Sequence, residues 1–261
     1  MHAQPLAGKR ILVTRAAHQA GKLSELLREL GAESVEVPVL EIHPPDSFAP
    51  LDAALRNLID YDWLIFTSAN TVNAFAERAH QQGVALSAAK LAQVAAIGSA
   101  TAAAAEKIGL SVSLTPKAYV AESLAAALGP QIRGERILLA RAATARDVIP
   151  DALRASGAHV DVVDAYRNVL PESAPEKLRA ALATPLDAAT FTSSSSVTHL
   201  AEAAQRAGIP FPFANVPAIS IGPITSRTLR EFGWQPAGEA DLSDISGLVA
   251  AVQRLFTPDA S

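Results

Sequence analysis

Small hydroxyl residues and glycines gather at matching places in this chain. Thr67-Ser68 follows one apolar run as Thr192-Ser193 follows another, the latter with Ser194, Ser195 and Ser196 behind it. Gly98-Ser99-Ala100-Thr101 answers Gly222-Pro223-Ile224-Thr225. Such residues cap helices, because a Ser or Thr oxygen accepts a first-turn N–H and glycine closes a tight turn. Capping and binding are compatible. The remaining first-turn N–H groups and their partial positive charge suit a carboxylate or phosphate. Thr14-Arg15 occupies a further turn of this kind, and Ser123 joins the candidates because it returns as Ser246. Arg15, Arg141 and Arg146 follow apolar runs, where a guanidinium would fork onto carboxylates two hydrogen bonds at a time. Lys117 and Arg227 are weaker candidates by position. Tyr166 is the titratable aromatic in this group, although a tyrosine ring also serves as packing.

Other chemistries have no candidate residues. There is no cysteine, which excludes thiol catalysis, disulfides and thiolate-held metal. The six histidines show no metal-ligand spacing, so no metal is expected. No carboxylate pair stands at matching strand ends, and no nucleophile elbow is present. Gly98 and Gly222 stand alone rather than in a phosphate-binding glycine motif, so no nucleotide cofactor is expected. A net charge of −4 without a Lys/Arg block argues against nucleic acid as partner. No run of about 18 uncharged apolar residues occurs, so no membrane span is expected. The start, MHAQPLAGKR, lacks the apolar core of a secretion signal, which makes the cytoplasm the expected compartment.

The elements that must position these residues are written twice. Arg10-Ile11-Leu12-Val13-Thr14-Arg15 returns as Arg136-Ile137-Leu138-Leu139-Ala140-Arg141, and Asp62–Ser68 returns as Asp187–Ser193. Gly31-Ala32 returns as Gly157-Ala158 and Ile97-Gly98 as Ile221-Gly222, all near an offset of 125. Two lobes of like architecture follow, with a ligand cleft expected where similar loops face each other. At 261 residues each lobe has an ordinary domain's length. The pattern predicts strands at 10–14, 33–37, 62–66, 93–97, 111–114, 136–140, 159–163, 187–192, 217–221 and 235–238. Helices are predicted at 18–30, 48–58, 69–82, 99–108, 121–129, 146–156, 174–183, 195–207, 223–232 and 243–256. This alternation gives parallel sheets covered by helices on both faces: α/β, doubly wound, twice. Ligands of such sheets lie beyond the carboxyl ends of the strands. Two extended segments, Val37–Ile42 and Asp164–Pro171, end near proline and are the hinge candidates. The repeat taken alone suggests a single cut near residue 131.

ILVTR with VPVLEI (37–42), DWLIFTSANTVNAF (62–75), AIGSATAAAAEKIGL (96–110), ILLARAATARDVIPDALRASGA (137–158), Ala165-Tyr166-Arg167, FTSSSSV (191–197) and SIGPITSRTLREFGW (220–234) together resemble the uroporphyrinogen-III synthase family. The likeness runs from about residue 8 to 255, and its specificity lies in the complete ordered set. The resemblance implies two flavodoxin-like or Rossmann-like domains joined by a two-stranded linker. Residues 1–38 and 172–261 would form the first domain, 44–164 the second, and 39–43 with 165–171 the linker strands. It implies a monomeric, cofactor-free cyclising lyase of tetrapyrrole (haem, sirohaem, cobalamin) synthesis. The substrate would be hydroxymethylbilane, a linear tetrapyrrole with eight carboxylates, which loses water, inverts ring D through a spiro intermediate and closes. Thr67, Ser68, Thr101, Ser193 and Thr225 match hydroxyl residues of the family's turns, and Arg141 and Arg146 its arginines. Tyr166 matches the linker tyrosine and is the candidate to give a proton or hydrogen bond to the departing hydroxyl. Ala69 and Ser194 stand where the family commonly has proline or another turn residue. Two rival readings share the lobes: a non-catalytic bilobal small-anion binding or sensor protein, and a two-lobed transferase, which would need a nucleotide site.

Overall fold

The computed structural model describes residues 4–15, 17–89, 92–116, 121–143 and 147–257. In chain order the strands are β1 (Arg10–Val13), β2 (Glu33–Glu36), β3 (Glu41–His43), β4 (Trp63–Phe66), β5 (Gln93–Ala96), β6 (Val112–Leu114), β7 (Arg136–Ala142), β8 (His159–Val169), β9 (Ala188–Phe191), β10 (Ala218–Ser220) and β11 (Pro236–Glu239). The helices are α1 (Ala17–Glu29), α2 (Ala49–Arg56), α3 (Ala69–Gln81), α4 (Ser99–Lys107), α5 (Ala121–Leu128), α6 (Val148–Ala155), α7 (Ala174–Ala181), α8 (Ser194–Ala207), α9 (Pro223–Glu231) and α10 (Ile245–Phe256). The chain divides into two compact units, Met1–Glu41 with Val169–Ser261, and Ile42–Asn168.

The first unit holds a five-stranded sheet in the order β11-β10-β9-β1-β2. Its neighbouring strands all run parallel. Side chains alternate across a strand, so each apolar strand feeds two cores. Ile11 and Val13 pack with Leu23 and Leu248 on one face. Leu12 packs with Phe191, Leu200 and Leu229 on the other. The second unit carries the order β3-β8-β7-β4-β5-β6. Leu64 and Phe66 meet Phe75 and Leu138 on one face, while Trp63 and Ile65 meet Leu124 and Leu139 on the other. Each such fully buried side chain contributes about 1.5–3 kcal/mol of apolar burial.

The two copies of the repeat exchange strands. β1 and β2 of the first copy join β9, β10 and β11 of the second; β7 and β8 of the second join β4, β5 and β6 of the first. Register follows the exchange to the residue. Ile11 pairs with Ala188 as Ile137 pairs with Trp63, and Ala189 pairs with Ala218 as Leu64 pairs with Val94. Even the strand entry is copied. Asp187 Oδ2 accepts from the Arg10 amide at 2.9 Å, and Asp62 Oδ2 from the Arg136 amide at 2.7 Å.

One stretch differs from the sequence reading. Residues 159–169 form a single strand, where the sequence separates 159–163 from an extended segment beginning at Asp164. The ladder does not stop, because Arg141 pairs with Asp164 and Ala142 with Tyr166 across one irregularity. The Ala143 amide then donates to the Tyr166 carbonyl at 2.9 Å.

Candidate functional site

In a doubly wound sheet the strand order reverses at one point, and ligands bind beyond the strand ends there. In the first unit that point lies between β1 and β9, and in the second between β4 and β7.

In the second unit the β4–α3 turn carries Thr67 and Ser68. Ser68 takes the extended conformation and caps α3, its Oγ accepting the Thr71 amide at 3.2 Å. The same oxygen lies 2.9 Å from Thr71 Oγ1 and 3.3 Å from the Tyr166 hydroxyl. Tyr166 on β8 is 6% exposed, so a nearly buried ring brings its phenol to the mouth of α3. Gly98 caps α4 at φ 90°, a conformation that costs glycine little. Ser99 opens that helix and is exposed. Thr101 turns inward, its hydroxyl donating to the Ile97 carbonyl at 2.8 Å. Ser123 is half-buried on α5.

Arg141 lies within β7 rather than after the strand end that the sequence suggests, because its ladder partner Asp164 extends the strand. Its guanidinium donates to Asp147 at 2.7 Å and lies 3.6 Å from Asp164. That arginine is already committed to carboxylates of its own unit. Arg146 and Lys117 fall outside the described residues, as does the start of the helix predicted at 146–156.

In the first unit the β9–α8 turn closes as a capping box. The Ser196 amide donates to Ser193 Oγ at 3.1 Å and the Ser193 amide to Ser196 Oγ at 3.3 Å. Ser195 is half-buried in the same first turn. Gly222 caps α9 with extended backbone; what it needs is space, since a Cβ there would sit 2.7 Å from Ser243 Oγ. The hydroxyl of Thr225, the counterpart of Thr101, makes no hydrogen bond among the described residues. Thr14 is spent on structure. Its hydroxyl donates to the Thr190 carbonyl at 2.9 Å while Thr190 Oγ1 donates to the Leu12 carbonyl at 2.8 Å, stapling β1 to β9. Arg227 lies on α9.

Arg15 stands immediately beyond this staple, half-buried, and makes no hydrogen bond or ion pair among the described residues. Burial pushes its pKa down from the usual arginine value. A partly desolvated guanidinium without a carboxylate is what an incoming anion would satisfy. Sequence reasoning passed over Thr71, Asp147, Asp164 and Thr190. Thr71 had a signal, for Ser68-x-x-Thr71 has the spacing of the Ser193-x-x-Ser196 box.

A 460 Å³ cavity in the first unit lies at the other end of its sheet, before β9 and β10, lined by Leu182, Leu186, Ile209, Phe213 and Val216 among others. No titratable side chain lines it, so it supplies no reaction chemistry. Among the described residues no His/Cys/Asp/Glu group could hold a metal, and no helix is long and apolar enough to cross a membrane.

Two doubly wound α/β units, each with a hydroxyl-capped helix N-terminus at its switch point, place the chain in a class of two-domain α/β proteins. The family model described as uroporphyrinogen-III synthase HemD matches residues 21–250, and the chain belongs to that family. It is 36% identical over 259 residues to the uroporphyrinogen-III synthase of Synechococcus elongatus, covering 97% of this chain and 98% of the relative. Among solved structures, a mutant uroporphyrinogen III synthase from Thermus thermophilus is similar with a TM-score of 0.68 at 21% identity, covering 95% of this chain and 98% of that one. The Helicobacter pylori enzyme gives 0.63 at 18%, covering 95% and 99%. At those identities the structures bear on fold alone.

Proposed function

We propose that this chain converts hydroxymethylbilane to uroporphyrinogen III, with loss of water, inversion of ring D and closure of the macrocycle. One observation carries the reading: the family match extends over residues 21–250, nearly all of both units. The substrate's eight carboxylates suit the N-termini of α3, α4, α8 and α9, whose helix dipoles favour negative charge. Thr67, Ser68, Gly98, Ser99, Ser193, Ser195, Gly222 and Thr225 line or form those edges, and Ser123 on α5 is a further substrate-binding candidate. Arg15 is the carboxylate anchor, which its lack of a partner among the described residues supports. Thr14, Thr101 and Arg141 act by holding the turns and the β7 end in shape, supported by their internal hydrogen bonds.

Tyr166 is the catalytic residue. Its phenol gives a proton to the departing hydroxyl, which leaves as water when the C–O bond breaks. The resulting cation is attacked by ring D, rearranges through the spiro intermediate and closes. The carbon that closes the ring then loses its hydrogen as a proton, which restores the phenol. Residues 39–43 and 165–171 serve as the linker, and the protein works as a cytoplasmic monomer without a cofactor. Incubating the purified protein with hydroxymethylbilane and separating the products tests this. The type III isomer should exceed a protein-free control severalfold. A non-catalytic anion binder would leave the control's type I-rich mixture unchanged.

A further inference from the structure

We propose that Thr71 sets the direction in which Tyr166 can give up its proton, by forcing the polarity of a three-hydroxyl chain. The inference rests on Tyr166 as donor to the departing hydroxyl. Ser68 Oγ is met by three groups: the Thr71 amide at 3.2 Å, Thr71 Oγ1 at 2.9 Å and the Tyr166 hydroxyl at 3.3 Å. A hydroxyl has one hydrogen and two acceptor lone pairs. The amide occupies the first lone pair. Thr71 is 0% exposed, and Ser68 Oγ is its hydroxyl's only partner among the described residues. A buried donor left unmet costs more than a buried oxygen with a spare lone pair, so Thr71 donates to Ser68.

That fills the second lone pair of Ser68. Its single hydrogen is left for the Tyr166 oxygen. Tyr166 then cannot donate back to Ser68, and its own hydrogen points away from the chain, available to a ligand. The order is Thr71 to Ser68 to Tyr166 to ligand. Without the Thr71 hydroxyl, Ser68 regains a lone pair and can accept from Tyr166, whose one hydrogen is then spent and which offers a ligand only lone pairs. The first unit lacks this device. There the equivalent hydroxyl, Ser196, donates to the Ser193 carbonyl at 2.6 Å, and Leu40 stands at the repeat position of Tyr166. Thr71 is therefore a positioning residue, acting through Ser68 on the catalytic phenol.

Steady-state formation of type III isomer by wild type, Thr71→Val, Thr71→Ser, Tyr166→Phe and the Thr71→Val/Tyr166→Phe double variant tests the chain. Thr71→Val should lower kcat about tenfold, the scale of one hydrogen bond, with KM within about twofold. Thr71→Ser should restore kcat. In the Tyr166→Phe background Thr71→Val should cost nothing further, because no proton direction remains to set. An unchanged kcat in Thr71→Val, or the same loss in both backgrounds, overturns the inference while leaving the reaction intact. Failure of the wild type to make excess type III isomer, or full kcat in Tyr166→Phe, removes the underlying reading and the inference with it.

Discussion

Arg15 and Arg141 occupy the same place in the repeat yet have opposite circumstances. Arg141 is bound to Asp147 and Asp164, whereas Arg15 has no carboxylate among the described residues. The sequence marks both equally, since of the partners of Arg141 Asp164 lies on a neighbouring strand outside the motif, and Asp147, though inside it, is brought back only by the turn after β7. Thr14 and Thr101 likewise look available in sequence and are spent on carbonyls. The candidate hydroxyls were legible in sequence and their hydrogen-bond partners were not, because the partner of a short side chain is decided by ladder register. His199 on α8 has its own signature. Its buried Nδ1 has no hydrogen-bond partner among the described residues, and burial holds its pKa below the usual 6.5, with Glu202 pulling the other way. A depressed pKa means the folded state binds fewer protons than the unfolded one below about pH 6.5. Stability present above that pH is lost as pH falls through the folded value. Thermal midpoints measured from pH 7 to pH 5 should fall for wild type and fall less for His199→Gln; parallel curves would clear His199 of the effect.

At the level of elements, glycines that look alike answer different needs. Gly98 needs its positive φ and Gly222 needs space. Gly247, in the first turn of α10, is the tightest: a Cβ there would fall 2.2 Å from the Leu242 carbonyl oxygen. Gly247→Ala should cost about 1–3 kcal/mol, the usual range for forced overpacking, read in a denaturant melt. Gly21 is the contrast, on α1 with nothing within 4 Å of the added methyl. Gly21→Ala should stabilise by about 0.5–1 kcal/mol, because alanine loses less backbone entropy in a helix. If Gly247→Ala is neutral, the packing of the β11–α10 loop is not as described. Most elements were readable in advance for a physical reason: strands buried on both faces are short apolar runs, and the helices between them are alanine-rich and amphipathic. The long β8 was not, since Asp161 and Asp164 break its apolar pattern and pairing to its neighbours β7 and β3 keeps it extended.

At the level of the molecule, the repeat conceals the division it helped to build. Two equal copies suggest a cut near residue 131, yet the units part at Glu41/Ile42 and Asn168/Val169. Each sheet needs strands from both copies, so neither copy holds a complete core. A fragment of residues 42–168 keeps β4 to β8 and should unfold in one cooperative transition. A fragment of residues 1–131 lacks β7 beside β4 and β9 beside β1, and should show none; a cooperative melt from it would refute the strand exchange. Arg15, a half-buried arginine with no partner among the described residues, stands in the first unit, and the Tyr166 phenol in the second. Steady-state kinetics of type III isomer formation by Arg15→Gln and Tyr166→Phe tests that division most directly. Arg15→Gln should raise KM about 10- to 100-fold, the loss of charged hydrogen bonds, with kcat near wild type. Tyr166→Phe should lower kcat by about 100-fold or more with KM little changed. Wild-type KM in the first variant together with wild-type kcat in the second would contradict the account.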